Sequence, residues 1–259
     1  WPSAPFSGAN YENRLYVNQN GDATLSGKAL DSGGDFDGYE VFFDNSGTLT
    51  FQTTGSTDTM VGYYPGSGQP TITNDDGAAP NGRISTSVSS WQLLYLGVRG
   101  YGSSTTGAYG LSVDGPAASS SAISLSNNSG SASGTVDDTW DYDFYHFTTT
   151  ASGTWTVTVT PTGSLDPTLL VFDSSGTPVG GSFTSPIDSG GSGSAESWSG
   201  SLSSGATYYV RVDGFSSSTG NFTVNVQGPT VTPAWPSAPF SGANYENRLY
   251  VNQNGDATL

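Results

Sequence analysis

The sequence has no cysteine, one histidine, one methionine and only six lysines and arginines against 22 acidic residues. Without cysteine there is no disulfide framework and no thiolate metal site. A net charge of −16 with so little basic surface excludes nucleic acid as a partner and makes anionic membrane unpromising. Cations and neutral surfaces are the partners this charge leaves open. No apolar run approaches the roughly 20 residues that span a bilayer, so membrane insertion is not expected. The opening residues carry no signal-peptide pattern. They begin on Trp1 rather than methionine, so the protein's true start is expected elsewhere.

Catalytic groups are scarce too. Strand alternation turns Tyr145 and Phe147 inward, which turns His146 outward and makes it a surface histidine rather than a base. The abundant serines lack a second general base, and nothing marks the cleft that paired hydrolytic carboxylates require. An enzyme is not expected.

What is present is glycine (36 residues) and 12% aromatics, set among many serines and threonines. Charged residues are 11%, against about 25% in ordinary domains. Such a hydroxyl-rich, lysine-poor surface suits a secreted protein. Low-complexity disorder would also give this composition, but the aromatics recur in ordered alternation.

The most informative feature is repetition. Trp235 to Leu259 repeats Trp1 to Leu25 letter for letter, so the sequence has a period of 234 residues, from Trp1 to Trp235. Within it lies a weaker repeat. Asp31, Asp35, Asp37, Tyr39 and Val41 correspond to Asp137, Asp141, Asp143, Tyr145 and Phe147, at an offset of 106 residues. Further matches follow in the same order, from Gly47, Leu49 and Phe51 with Gly153, Trp155 and Val157 to Tyr109, Leu111 and Val113 with Phe222, Val224 and Val226. Each period therefore holds two copies of one domain.

Alternation at period two, as in Tyr39, Val41 and Phe43 or Trp155, Val157 and Val159, predicts half-buried strands. Turn signals such as Asp44-Asn45-Ser46-Gly47 and Asp173-Ser174-Ser175-Gly176 separate them. The expected fold is all-β, two tandem antiparallel β-sandwiches of jelly-roll type. The expected division is residues 1–11 as an aromatic, proline-containing linker or docking segment, 12–115 and 116–228 as the two sandwiches, 229–245 as a linker repeating 1–11, and 246–259 as the start of the next sandwich.

Both copies resemble the bacterial pre-peptidase C-terminal domain family. The resemblance rests on Asp141-Tyr142-Asp143-Phe144-Tyr145-His146-Phe147, on Leu169-Leu170-Val171-Phe172-Asp173-Ser174-Ser175-Gly176, and on Gly205-Ala206-Thr207-Tyr208-Tyr209-Val210-Arg211-Val212. The first copy is more divergent, with Leu93-Leu94-Tyr95-Leu96-Gly97-Val98-Arg99 as its late strand. The resemblance implies a β-sandwich carried on secreted bacterial proteins, some binding collagen and some binding calcium near the domain entrance. No protease domain is visible, a departure from the family's usual setting.

Candidate sites follow. Asp31, Asp35 and Asp37, with Asp137, Asp138, Asp141 and Asp143, are hard oxygen donors suited to Ca²⁺; the alternative is that they cap turns through backbone hydrogen bonds. Trp1, Phe6 and Tyr11, repeated as Trp235, Phe240 and Tyr245, either dock one repeat onto the next or cap the neighbouring domain, since exposed large aromatics seek burial. Asn127 and Asn221 lie in glycan-acceptor triplets, and Ser119 to Ser121 form a cluster suited to O-linked sugar. Tyr63, Tyr64, Tyr101 and Trp198 are candidates for a polysaccharide- or collagen-binding surface. The sequence favours a structural subunit of an extracellular fibre, filament, sheath or stalk on a bacterial surface, joined through Trp1 to Arg14, with neighbouring repeats or copies of itself as partners. An adhesin-like binding module and an appendage of a secreted hydrolase are the rivals.

Overall fold

The computed structural model describes residues 1–230, and the chain is all-β. The first half contributes nine strands: β1 (Tyr11–Leu15), β2 (Asp22–Leu30), β3 (Phe36–Phe43), β4 (Gly47–Thr54), β5 (Thr59–Tyr64), β6 (Ile72–Asn74), β7 (Arg83–Val88), β8 (Gln92–Gly100) and β9 (Gly107–Asp114). The second half contributes nine more: β10 (Ser120–Ala122), β11 (Ser129–Val136), β12 (Tyr142–Thr148), β13 (Gly153–Thr162), β14 (Pro167–Asp173), β15 (Pro178–Gly180), β16 (Glu196–Leu202), β17 (Thr207–Gly214) and β18 (Gly220–Gln227).

The internal repeat is complete at the level of topology. The first half pairs β1-β3-β8-β5-β6 in one sheet and β2-β9-β4-β7 in the other. The second pairs β10-β12-β17-β14-β15 and β11-β18-β13-β16, the same order nine strands later. In each sandwich the edge strand of the five-stranded sheet, β1 or β10, runs parallel to its neighbour, and the other strand pairs are antiparallel.

Each sandwich closes over its own core. Tyr39, Val41 and Phe43 meet Leu49, Phe51 and Leu111 in the first. Tyr145 and Phe147 meet Trp155, Val157 and Val224 in the second. These are the alternating positions the sequence marks, and the four-stranded sheets keep a polar outer face of threonines and serines. In β13, for instance, Trp155, Val157 and Val159 are buried while the intervening threonines are partly exposed.

The five-stranded sheets depart from the half-buried expectation. In β3 seven of eight residues are buried, and in β14 six of seven. Their outer faces carry Phe36, Phe42, Tyr142, Phe144, Leu170 and Phe172, all buried. A run such as Leu169-Leu170-Val171-Phe172 is the pattern of a strand covered on both sides. In an isolated sandwich this second apolar face would be left in water.

Apart from Phe36, which lies in a separate cluster with Ala4 and Phe6, the two sandwiches cover it together. Phe42 of the first packs with Tyr142, Phe144, Leu170 and Phe172 of the second, and Tyr16, Leu93 and Phe183 close the edges. The Phe42 and Tyr142 rings meet edge to face at 5.8 Å. Backbone and side chains of residues 16–19 stitch the seam. Tyr16 N donates to Phe183 O at 2.9 Å, Asn18 Nδ2 to Gly176 O at 3.0 Å, and Gln19 Nε2 to Asp173 O at 3.2 Å. Gly176 has φ +86°, and a Cβ there would lie 2.0 Å from Asn18 Nδ2. The position therefore requires glycine both for its left-handed backbone and for the close approach. Residues Trp1–Pro229 accordingly form one compact unit containing both sandwiches.

At the centre of the seam lies a buried charge cluster. The Arg211 side chain is 1% exposed. Its guanidinium lies 3.9 Å over the Tyr142 ring, donates to Val17 O across the seam at 2.9 Å and pairs with Asp213 at 3.1 Å. Arg14 of the first sandwich reaches the same Asp213 oxygen at 3.3 Å. Burial pushes the Asp213 carboxyl above its usual range, and the two guanidinium groups offset only part of that rise. Removing one partner from such a pair leaves a buried charge uncompensated, at a cost of about 3–5 kcal/mol. Because Arg14 stays beside Asp213, Arg211→Met should fall at the low end, about 3 kcal/mol in equilibrium urea denaturation. Replacing the whole cluster, with Arg14→Met and Asp213→Leu added so that no buried charge is left unpaired, should restore most of the loss, and an unchanged denaturation midpoint in the single variant would contradict this account of the seam.

Candidate functional site

Three glycines define a second feature. Gly38 of β3, Gly97 of β8 and Gly62 of β5 lie directly opposite one another on three adjacent strands. They form a row across the outer face of the first five-stranded sheet. Glycine in a strand interior marks close approach by another group. Here the approaching group is the segment before β1. A Cβ at Gly38 would lie 2.2 Å from the Phe6 ring, and one at Gly62 would lie 3.0 Å from the Trp1 ring. At Gly97 it would meet Phe36 at 2.7 Å.

The row is thus the floor of a groove, and Trp1 to Phe6 fills it. Phe6, 7% exposed, sits edge to face against Phe36, Tyr64 and Tyr95 at 5.0, 5.1 and 5.8 Å. Trp1 meets Phe36 edge-on at 6.0 Å, and the Arg99 guanidinium lies 4.6 Å over the Trp1 ring. Polar contacts set the register. Ala4 and Gly68 exchange backbone hydrogen bonds at 2.8 and 2.9 Å. Tyr64 donates to Pro2 O at 3.2 Å, and Gln69 Nε2 to Ser3 Oγ at 2.7 Å. Burial raises the Tyr64 phenol well above the ordinary tyrosine range, against the pull of Arg99.

The second sandwich has no such groove. Its matching row across β12, β17 and β14 is Phe144, Arg211 and Leu170. Large side chains stand where the first sandwich has glycines, and they make the seam. Residues 1–11, read from sequence as a linker or docking segment, therefore belong to the first sandwich: Trp1 and Phe6 cap their own domain. Tyr11 starts β1, partly exposed, with its hydroxyl 3.5 Å from Glu40. Of the segment Trp1 to Arg14, Arg14 is the residue that reaches the other sandwich. Trp235, Phe240 and Tyr245 lie outside the described residues.

The aspartates at the strand entrances are spent on backbone and tyrosine hydroxyls. Asp35 accepts from Asp31 N at 2.6 Å and from Phe36 N at 2.9 Å. Asp141 accepts from Asp137 N at 2.8 Å, and Asp138 from Trp140 N and Asp141 N. Asp37 shares the inward face of β3 with Tyr39 and accepts from Tyr109, whose hydroxyl is 2.7 Å from that of Tyr39. Asp143 accepts from Tyr145 at 3.3 Å; Phe222, the counterpart of Tyr109, has no hydroxyl to offer. Strand alternation sends Asp37 inward while Asp35 caps the preceding turn, so the expected convergence does not occur. Among the described residues no three acidic or imidazole groups gather where they could hold a metal ion.

The remaining candidates are dispersed. Asn127 and Asn221 are both exposed, and Thr135 Oγ1 donates to Asn221 at 2.7 Å. Tyr63 and Tyr64 are buried, Trp198 packs against the second core, and Tyr101 is exposed. His146, half-buried, lies 3.0 Å from Ser120 Oγ. Sequence reasoning missed Trp91, exposed at the rim of a cleft of about 280 Å³ with Asp44, Asn45 and Ser119 to Ser121. It missed the Arg14, Arg211 and Asp213 cluster as well. The glycine row was visible in the sequence, but its alignment depends on strand register.

No protein family and no curated protein matches the sequence. Among solved structures, the pre-peptidase C-terminal domain of a Bacillus anthracis collagenase is 14% identical, over 42% of this chain and 95% of that one, with a TM-score of 0.34. The Aeromonas hydrophila PliG, a periplasmic inhibitor of g-type lysozyme, is 18% identical over 42% and 95%, with a TM-score of 0.32. A surface-associated copper-binding protein of Methylomicrobium album is 12% identical over 43% and 98%, with a TM-score of 0.31. At these values the likenesses carry no functional argument.

Burial of the entrance aspartates has a consequence for stability. It pushes both Asp37 and Asp143 up to about 6, against the tyrosine hydrogen bonds that pull them down. An unfolded aspartate titrates near pH 4. Between about pH 4 and 6 the folded state therefore binds more protons than the unfolded state, and stability falls as pH rises through this window. The melting temperature should be higher at pH 4.5 than at pH 7.5. Asp37→Asn combined with Asp143→Asn should raise it at pH 7.5 and flatten the profile, whereas a wild-type profile that climbs with pH would contradict this.

Proposed function

We propose that the chain is a structural subunit of an extracellular repetitive assembly, a fibre, filament, sheath or stalk, rather than an enzyme. The observation that carries this reading is the letter-for-letter return of 25 residues after 234, combined with the packing of both sandwiches of that period into one unit. A binding site needs one copy of its residues. A periodic assembly needs every unit to meet the next in the same way, and near-identical long repeats satisfy that requirement.

The seam supports the reading. Two sandwiches joined by a flexible linker would transmit no defined angle. Here the joint is an apolar interface with a paired charge cluster, and the two sandwiches pack as one compact unit. The acidic surface keeps such elements soluble and apart until specific contacts form. Its composition, poor in lysine and rich in serine, threonine and glycine, suits an exposed extracellular setting. The partners are neighbouring repeats or further copies of the chain.

Material carrying several periods is expected to appear in electron micrographs as filaments with an axial repeat set by one sandwich pair. Replacing Phe6 and Phe240 together by alanine should abolish the regular repeat. Chains that stay as separate, unordered particles at high concentration would overturn the structural reading, and filaments unaffected by the double substitution would overturn the joint through these segments.

A further inference from the structure

We propose that the glycine-floored groove of the first sandwich is a docking site for the Trp235–Phe240 segment of a second copy of the chain. This deepens the structural reading, on which it rests, by naming the donor and the receptor through which units connect.

Everything the groove recognises is present twice in the sequence. The contacts made by Trp1, Ser3, Ala4 and Phe6 can be reproduced by Trp235, Ser237, Ala238 and Phe240, which stand in the same sequence WPSAPF. The floor at Gly38, Gly62 and Gly97 accepts either copy for the same steric reason. With identical contacts, the choice between donors reduces to concentration and tethering rather than to chemistry.

The resident segment lies outside the core between the two sheets. None of residues 1–6 belongs to the core cluster between the two sheets of the first sandwich. Their apolar contacts lie in a separate outer cluster with Phe36, Tyr64 and Tyr95. The turn that joins them to β1, Gly8–Asn10, buries nothing. Exchange therefore opens one peripheral cluster and leaves the sandwich closed.

Specificity follows from the other sandwich. Its corresponding row is Phe144, Arg211 and Leu170, already covered at the seam. Each sandwich pair thus offers one receptor. A donor and a receptor that differ form a heterologous contact, which propagates head to tail into an open fibre unless its rotation closes a ring.

The absence of cysteine allows a direct test. Ser3 Oγ and Gln69 Nε2 are in hydrogen-bond contact, so Ser3→Cys with Gln69→Cys should close a disulfide within the monomer and report the groove as described. Gln69→Cys with Ser237→Cys in the full chain should instead give reducible dimers and longer ladders on a non-reducing gel. The ladder is expected at chain concentrations of about 1 mM, comparable to the effective concentration of a segment on a short tether. Adding Phe240→Ala should cut it at least ~10-fold, the effect of losing about 1.4 kcal/mol of docking, and excess peptide spanning Trp1–Asn10 should compete it away. If the Ser3 and Gln69 pair closes while the Gln69 and Ser237 pair stays monomeric, the exchange is overturned, and so it is by a ladder indifferent to Phe240→Ala. Filaments without a ladder would keep the structural reading and reject the exchange; a ladder without filaments would do the reverse.

Discussion

The structure depends on covering the second face of each five-stranded sheet. A sandwich buries one face of each sheet against the other, and the outer faces normally meet water. Here β3, β5 and β8 and their counterparts β12, β14 and β17 carry aromatic and aliphatic side chains outward as well as inward. Fully burying one such side chain is worth about 1.5–3 kcal/mol, so several left exposed would make a separate sandwich poorly stable and adhesive.

Two copies of one domain solve this in two ways. The first leaves a row of glycines and fills it with Trp1 and Phe6. The second keeps Phe144, Arg211 and Leu170 in the same row and sets them against Phe42 and Tyr16 of its neighbour. The residues before β2 serve both solutions in turn: 1–6 cover the first sandwich, and 14–19 tie down the second. This explains why one stretch of sequence recurs at the start of each period. It holds the pieces that complete the first sandwich and fix the angle to the second.

Much of this could be read from the sequence. Period-two alternation and turn residues marked the strands, and the offset of 106 between the aspartate motifs identified the two domains. Both-face burial was present in Leu169-Leu170-Val171-Phe172 but was masked in β3, where Glu40, Asp37 and Gly38 interrupt the apolar run. The entrance aspartates illustrate the limit. Their spacing puts oxygen-rich residues close in sequence, yet the strand turns Asp37 toward Tyr109 and the preceding turn takes up Asp35, and neither fact is encoded in spacing. Likewise Gly38, Gly62 and Gly97 are far apart in the chain, and only register aligns them. Alternation puts Arg211 on the outer face of its strand but does not say what covers that face.

The central claim is that the aromatic segment, the two sandwiches and the seam fold as one cooperative unit because neither sandwich covers its own outer face without help. Differential scanning calorimetry of the full chain tests it most directly. The account predicts a single unfolding transition whose calorimetric enthalpy equals its van't Hoff enthalpy. Two separated transitions, one for each sandwich, would contradict it.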